Sequence, residues 1–181
     1  MCGIIGYIGE KPAMPILIDG LRRLEYRGYD SAGVAVMEDS ISIHKTIGRI
    51  ADLEDIIPSS SFGTMGIAHT RWATHGSVTQ ENAHPHLSMD ESIAVVHNGI
   101  IENAGNLRKR LIETGIEFRS ETDTEVIVHL ISREVEAGMV LLEAVRRTLM
   151  LLRGTWGIAV MMHGSEAVSY THLTLPTILL V

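Results

Sequence analysis

The feature that most constrains the fold of this 181-residue chain is a series of short apolar runs, each about as long as one β-strand. They are separated by polar or glycine-rich segments and contain many branched side chains, which favours strands. The runs lie at residues 3–9, 34–37, 41–45, 65–70, 93–97 and 155–162. Glu38, Asp39 and Ser40 predict a hairpin turn, so the second and third strands are expected to pair antiparallel.

Segments with apolar residues at helical spacing lie between and after these strands. The predicted helices cover residues 12–26, 49–57, 103–114, a segment that begins near Asp123, and 140–152. Gly115 suits the position after a helix, and Thr122 and Glu125 have the spacing of a capping box. Because the early strands pair with each other and the helices cluster, we predict an α+β fold in which helices cover antiparallel sheets.

The composition excludes several classes of function. The formal net charge is −7, which repels the phosphate backbone of nucleic acids. No run approaches the roughly 20 apolar residues of a membrane-spanning helix, and Glu10 and Lys11 interrupt the first apolar run before it reaches signal-peptide length. The single cysteine rules out an internal disulfide and fits a reducing compartment. We therefore expect a cytoplasmic protein that binds neither nucleic acid nor membranes.

Cys2 is the residue that most strongly suggests catalysis. Removal of Met1 would leave a thiol and a free α-amine on one residue. The amine has a reference pKa of roughly 7.7 to 8.0, so it can accept the thiol proton near neutral pH. Threonine nucleophiles use their own terminal amine in this way, and cysteine is the better nucleophile. The alternative is a small hydrophobic side chain buried at the start of a strand.

A polar segment at residues 71–90 is longer than most connections in compact domains and is a candidate functional loop. Arg71 offers a forked guanidinium that fits a carboxylate, although an exposed ion pair would also explain it. Five histidines in and near this segment could suggest a metal site: His69, His75, His84, His86 and His97. No HExxH or other ligand spacing is present, so no metal is expected.

Asn98 and Gly99 follow the apolar run at 93–97. Such a dipeptide normally predicts a turn. At the end of a rigid strand, a side-chain amide beside an unobstructed backbone N–H would instead offer two donors to a developing oxyanion. Asp123 has two explanations, since a carboxylate at a helix start is favoured by capping and by the helix dipole, and it could also bind an ammonium group. Glu121 and Glu125 are predicted to be solvated or capping residues.

Six segments, in one order, resemble the glutaminase domain of the glutamine:fructose-6-phosphate amidotransferases, also called glucosamine-6-phosphate synthases. They are CGIIG (2–6), RRLEYRGYDSAG (22–33), HTRWATHG (69–76), NAHPH (82–86), VHNGIIEN (96–103) and SETDTEVI (120–127). The resemblance covers roughly residues 1–162. This sequence resembles the glutamine:fructose-6-phosphate amidotransferases more closely than it resembles the related amidophosphoribosyltransferases and asparagine synthetases, which share the N-terminal cysteine.

The resemblance implies an N-terminal nucleophile hydrolase fold, an αββα sandwich of two antiparallel sheets that is incomplete at its C-terminal end. It implies that Cys2 attacks the side-chain amide of glutamine while Asn98 and Gly99 hold the oxyanion. Arg71 would bind the α-carboxylate of glutamine, and Asp123 would bind its α-ammonium group. Four further residues would line or close the glutamine pocket: Trp72, Thr74, His75 and His84.

The same resemblance implies the partners. L-Glutamine is the expected substrate and no cofactor is expected. Ammonia would pass to fructose 6-phosphate on a sugar-isomerase half that this chain lacks, giving glucosamine 6-phosphate, and the full-length protein would be a homodimer. Two alternatives stay open at this point. One is the glutaminase domain of another class II amidotransferase, and the other is a non-catalytic folded fragment in which Cys2 is merely buried.

The expected domain boundary lies at residue 163. Residues 1–163 carry the resemblance to the amidotransferase domain, whereas residues 164–181 do not. Within that tail, SYTHLTLPT at 169–177 is typical of translated sequencing-adapter sequence. The structural alternative is a terminal strand, because Leu173, Leu175 and residues 178–181 are apolar enough to pair with a sheet edge.

Overall fold

The computed structural model describes residues 2–58, 60–72, 77–164, 168–172 and 178–180. Within these residues the chain forms nine strands and five α-helices. In chain order they are β1 (Gly3–Ile8), α1 (Ala13–Leu24), β2 (Ser31–Met37), β3 (Ile41–Ile47), α2 (Ile50–Ile56), β4 (Met65–Arg71), β5 (His86–Leu87), β6 (Ile93–Ile101), α3 (Ala104–Glu113), α4 (Asp123–Glu136), α5 (Leu141–Leu151), β7 (Gly154–Met162), β8 (Val168–His172) and β9 (Ile178–Leu180). A short 3₁₀ turn, Glu25–Arg27, follows α1. All strands and helices predicted from the sequence are present.

The strands form two sheets. The first has the order β3-β2-β4-β1-β9 and the second has the order β5-β6-β7-β8. All pairs are antiparallel except the last pair of the first sheet, in which β9 runs parallel to β1. The hairpin predicted at residues 38–40 joins β2 and β3. The described strand β9 also coincides with the terminal strand considered for the tail.

Three apolar clusters divide the molecule into four layers. Helices α1 and α2 pack on one face of the first sheet, through Leu17, Leu21 and Leu53. Helices α3, α4 and α5 pack on the outer face of the second sheet, where Ile127 and Ile131 are fully buried. The third cluster lies between the two sheets. The layer order is therefore helix, sheet, sheet, helix.

The alternation of side chains along each strand assigns them to these layers. In β1, Ile4 faces the second sheet and Ile5 faces α1. In β4, Ile67 likewise points between the sheets. In β6, Ala94 and Val96 point between the sheets, whereas Ile93 and Val95 face α4. Even-numbered residues of β1 and β6 and odd-numbered residues of β4 thus line the space between the sheets.

The sequence prediction was wrong about where β6 ends. Asn98 and Gly99 were expected to follow a strand that ends at residue 97, but β6 continues to Ile101. Asn98 lies opposite Gly157 of β7, and Gly99 lies opposite Trp156. The long partner strand β7 provides pairing for the whole segment, which overrides the local turn preference of the dipeptide.

No helix in the described part of the chain combines the length and apolar content needed to cross a bilayer.

Candidate active site

The candidate site lies at the end of the sandwich where the side chains that line the space between the two sheets change from apolar to polar. Two residues beyond Ile67 along β4 comes His69, and two further comes Arg71. Two residues beyond Val96 along β6 comes Asn98, and two residues before Ile4 comes Cys2. Because the side-chain period of a strand is two, these polar side chains share the space between the sheets with the apolar ones. The strand periodicity brings them together from distant parts of the sequence.

A cavity of about 300 Å³ opens at this end of the molecule. Seven of the nine predicted site residues line it: Cys2, Arg71, Trp72, His84, Asn98, Gly99 and Asp123. The other two, Thr74 and His75, lie outside the described residues. The structure thus places the predicted nucleophile, oxyanion donors and charged substrate ligands around one cavity.

Cys2 is held by the chain segment that follows β4. Its Sγ accepts a hydrogen bond of 3.3 Å from the backbone N–H of Trp72. Burial raises the pKa of the Cys2 thiol, and the Trp72 N–H works against this by stabilising the thiolate. The indole of Trp72 is 40% exposed and packs edge-on against Tyr29, with ring centroids 5.3 Å apart. Trp72 therefore holds the sulfur through its backbone N–H and also lines the cavity.

Asn98 lies between Cys2 and His69. Its Nδ2 donates to the backbone carbonyl of Cys2 at 3.2 Å, and its Oδ1 lies 2.9 Å from His69 Nε2. The side-chain amide is thus fixed on both sides and directed at the nucleophilic residue. This arrangement suits the donor role predicted for Asn98.

The backbone of Gly99 faces the cavity edge of β6. Glu102 N donates to Arg153 O, toward the chain segment that leads into β7, whereas Ile101 N donates in the other direction, to Asp123 Oδ2 at 2.8 Å. Because successive N–H groups of a strand alternate in direction, Gly99 N–H points away from β7, as Ile101 N–H does. Beyond residue 95, β5 no longer pairs with β6. Gly99 can therefore offer its N–H to a ligand in the cavity.

The two charged residues come from different elements. Arg71 ends β4, is buried, and donates from a guanidinium nitrogen to Ser77 O at 3.2 Å. Asp123 begins α4 after the N-cap Thr122, whose hydroxyl accepts from Glu125 N. The Asp123 side chain is 28% exposed, so it is available to a ligand. A cation and an anion that line the same cavity suit an α-amino acid zwitterion.

Glu125 was predicted to be a solvated or capping residue, but the structure buries it. Its carboxylate accepts from the backbone N–H of Arg119 and of Ser120, both at 2.7 Å. Burial alone would raise the pKa of Glu125, but the contact with His129 and these hydrogen bonds lower it to about 2. Glu125 therefore anchors the loop that leads into α4 instead of closing a standard capping box on Thr122.

Sequence reasoning assigned no role in the site to three residues that the structure places there. His69 contacts Asn98, and His97 lies behind Asp123, with Nδ1 3.0 Å from Thr124 Oγ1. Arg108 lines the cavity and donates to the backbone carbonyls of Ser120 and Thr122. The two histidines could have been found from the strand periodicity, because each lies at a polar position that continues an apolar row. Nothing in the sequence around Arg108 indicates its contacts.

The described histidines are not arranged to form a metal site. Among the described residues, no group of three or more histidine, cysteine, aspartate or glutamate side chains is arranged to hold a metal ion. The rings of His69, His84 and His86 instead pack in a row, with successive centroids 4.2 and 4.8 Å apart. Burial lowers the pKa of each of them, so the row is neutral.

The fold and the site define a class of protein. The chain belongs to the glutamine amidotransferase domain family, whose sequence profile matches residues 69–171. The predicted fold class, the N-terminal nucleophile sandwich of the class II glutamine amidotransferases, is confirmed by solved structures. The Bacillus subtilis glutamine phosphoribosylpyrophosphate amidotransferase, solved with ADP and GMP, superposes with a TM-score of 0.77 at 29% identity and covers 90% of this chain and 35% of its own. The structure described as the allosteric regulatory enzyme of purine biosynthesis gives a TM-score of 0.82 at 30% identity, over 94% of this chain and 37% of its own.

Within this family, the sequence is similar to a particular group of enzymes. The glutamine–fructose-6-phosphate aminotransferase (isomerizing) of Clostridium perfringens is 53% identical over 162 residues, which are 88% of this chain and 26% of that enzyme. The enzyme of the same name from Bacteroides thetaiotaomicron is 51% identical over 165 residues, 89% of this chain and 27% of that enzyme. The resemblance inferred from the six segments is thereby confirmed. The chain spans about a quarter of the length of these relatives.

Proposed function

We propose that this chain is the glutaminase part of a glutamine–fructose-6-phosphate aminotransferase and converts L-glutamine and water to L-glutamate and ammonia. The observation that carries the proposal is the shared cavity of Cys2, the Asn98–Gly99 donor pair and the opposite charges of Arg71 and Asp123. Each group of the substrate has a complementary group in this cavity. The two relatives described above, which are about half identical to the chain, carry the same name, so another class II amidotransferase is not favoured.

Binding would use the zwitterionic end of glutamine. The Arg71 guanidinium would bind the α-carboxylate, where a forked donor matches both oxygens. Asp123 would bind the α-ammonium group, helped by the partial exposure of its carboxylate. With these two contacts made, the side-chain amide would extend toward Cys2. Trp72 and His84, with Thr74 and His75, would line or close the pocket over the substrate.

The chemistry would start from Cys2 as the mature N-terminal residue, after removal of Met1. Its α-amine takes the thiol proton, and Sγ forms a bond to the amide carbon of glutamine. Asn98 Nδ2 and Gly99 N–H then stabilise the oxyanion. The carbon–nitrogen bond breaks, ammonia leaves with the proton held by the amine, and a γ-glutamyl thioester remains. Water hydrolyses the thioester and releases glutamate and the free thiol.

The test is glutamate release by the purified chain and by the variant Cys2→Ala. We expect Cys2-dependent turnover in a sample whose N-terminus has been shown by mass spectrometry to be Cys2. A sample that retains Met1 should be inactive, because its cysteine has no free α-amine. Equal rates of glutamate release by the chain and by Cys2→Ala would refute the proposed glutaminase activity. The chain would then be better described as a non-catalytic folded fragment.

The larger reaction is part of the same proposal. The named relatives act on fructose 6-phosphate, so ammonia from this site would be transferred to that sugar on an isomerase half in a longer protein. We propose glutamine and fructose 6-phosphate as the two substrates and a cytoplasmic homodimer as the working form. Coexpression with the isomerase half of a relative, followed by assay of glucosamine 6-phosphate, tests the transfer.

We further propose that the amidotransferase domain occupies residues 1–163 and that residues 164–181 are foreign to it, even though the match to the family profile extends to residue 171. The sequence SYTHLTLPT at 169–177 supports this, because it is typical of translated adapter. Resequencing the source across residue 163 tests the boundary. A reading frame that continues in amidotransferase sequence after residue 163 would support the proposal, and recovery of the same tail from independent clones would refute it.

A further inference from the structure

We propose that His69 is a positioning residue that orients the side-chain amide of Asn98, so that its NH₂ group and not its oxygen faces the reacting carbon. The inference rests on the proposed glutaminase function and deepens it. His69 is fully buried in β4, two residues before Arg71 on the same face of the strand. One strand would therefore supply both the carboxylate ligand and the support for the oxyanion site.

The orientation of an asparagine amide is a choice between two states related by a half-turn. In the state observed, Nδ2 donates to Cys2 O and Oδ1 lies 2.9 Å from His69 Nε2. The half-turn would place Oδ1 against Cys2 O, two acceptors together. It would also direct the oxygen at the position of a developing negative charge, where it repels the transition state instead of stabilising it.

The proton positions follow from these contacts. Because Cys2 O can only accept, the atom of Asn98 beside it must be Nδ2, and the atom beside His69 must be the acceptor Oδ1. His69 Nε2 must then carry a hydrogen. Burial lowers the pKa of His69 to about 3, so the ring is neutral and holds one proton. That proton is placed on Nε2.

His84 extends the arrangement by one ring. Its Nδ1 lies 3.2 Å from His69 Nε2, and its imidazole is also buried and neutral. With the His69 proton on Nε2, His84 Nδ1 must be the unprotonated acceptor. His69 Nε2 holds a single hydrogen, and the shorter contact, 2.9 Å to Asn98 Oδ1 against 3.2 Å to His84 Nδ1, directs it at Asn98. Nδ2 of Asn98 carries two hydrogens, and within the described residues only the one to Cys2 O is engaged, so the second is available to the oxyanion.

The experiment compares His69→Leu with His69→Gln in the mature chain. Loss of one oxyanion donor lowers kcat by about 10²- to 10³-fold in other hydrolases, and His69→Leu is expected to approach about 10²-fold. The KM for L-glutamine should change by no more than about twofold, because the neutral amide of the bound substrate carries no oxyanion. His69→Gln, whose amide N–H can reach the position of Nε2, should recover at least about tenfold of the lost kcat.

The matched control is His44→Leu, which removes a partly buried imidazole from β3 of the same sheet. It is expected to leave kcat within about twofold of the parent chain. If His69→Leu does not fold, His69→Gln is compared with His69→Asn, whose shorter amide does not reach Nε2. If the parent chain is active and kcat is unchanged in His69→Leu or in His69→Asn, the positioning role of His69 is overturned, but the proposed glutaminase activity stands. Absence of Cys2-dependent turnover in the parent overturns both proposals.

Discussion

Gly99 combines a special backbone conformation with a proposed catalytic function. Its φ angle is +136°, in the region that favours glycine, although it lies inside the paired strand β6. A Cβ at this position would collide with the backbone carbonyl of Thr155 in β7. The conformation lets the backbone N–H face the cavity while pairing with β7 continues on both sides. Glycine is thus required here by geometry, independently of any motif.

We predict that Gly99→Ala lowers the free energy of unfolding by about 2 kcal/mol or more, because positive φ strain and a backbone collision add together. Urea denaturation measures the change. Gly105→Ala is the matched control, since a Cβ on Gly105 in the first turn of α3 meets no atom within 4 Å. That control is expected to stabilise the chain by about 0.5 to 1 kcal/mol. Equal stability of the two variants would contradict the prediction.

Arg71 and Asp123 are predicted to recognise opposite ends of the glutamine zwitterion. Arg71→Lys should raise the KM for L-glutamine by about tenfold, because lysine cannot form the forked contact with a carboxylate. The same variant should show no such loss with 4-aminobutanamide, a glutamine analogue without the α-carboxylate. Steady-state kinetics with both substrates test this, and an equal loss with both would contradict the carboxylate contact.

Asp123→Asn is the complementary variant. Its effect on KM should be large for L-glutamine and small for glutaramate, the analogue that lacks the α-ammonium group, because the lost contact is a charge pair. Asparagine can still accept the hydrogen bond from Ile101 N, so the fold should be retained. A loss of equal size with glutaramate would show that Asp123 acts on the structure and not on the ammonium group.

At the scale of elements, the start of α4 positions Asp123. The N-cap hydroxyl of Thr122 accepts from Glu125 N and lies 2.9 Å from His86 Nε2. Ser120 and Glu125 hold the preceding loop through buried hydrogen bonds. Ser120 and Glu125 thus fix the start of α4 from its two sides. Because Asp123 lies between them, its carboxylate is held in place as well.

We predict that Thr122→Ala lowers the free energy of unfolding by about 1 to 2 kcal/mol, the usual loss for an N-cap hydroxyl. It should also raise the KM for L-glutamine, because Asp123 follows directly. Thr122→Ser keeps the hydroxyl and should remain close to the parent in both measurements. Chemical denaturation and kinetics on the three chains test this. A Ser variant as damaged as the Ala variant would show that the methyl group, not the cap, is what matters.

The sequence predicted elements well and their ends less well. Residues 3–9, 41–45 and 155–162 have strongly apolar patterns, and all became strands. The two-residue strand β5 was missed because so short a segment has no periodicity. The end of β6 was placed too early because its continuation depends on pairing with β7, a contact between residues far apart in sequence. Glu125 was misjudged for a different reason. Its partners Arg119 and Ser120 are near in sequence, but residue spacing does not show the loop conformation that turns their N–H groups toward the carboxylate.

At the scale of the whole molecule, the sandwich buries several neutral histidines close to the cavity. The candidate site could be predicted only in part, since motif residues such as Cys2 and Asn98 were found and the supporting His69 and His97 were not. Their roles depend on which face of a strand meets the other sheet.

Burial lowers the pKa of His69 to about 3, and it also lowers the pKa of His84, His86 and His97.

This burial predicts that the chain loses stability in mild acid. The unfolded histidines have pKa values of about 6.5, so between that pH and the folded values the unfolded state binds more protons. The stabilising contribution is complete above pH of about 6.5 and is lost as the pH falls toward 3, by at most about 1.4 kcal/mol per pH unit for each histidine. Urea denaturation at a series of pH values between these limits measures the slope.

The variant His69→Gln assigns part of that slope to one ring. It removes a buried imidazole that must stay neutral, so the proton uptake on unfolding should fall by about one half at pH 6.5 and by about one at pH 5. Thr148→Val is the matched control, because it also changes a fully buried polar side chain but removes no titratable group, so it should leave the slope unchanged. If the two variants change the slope equally, the acid sensitivity does not arise from the buried row, and the neutral state of His69 on which the orientation of Asn98 depends would have to be abandoned.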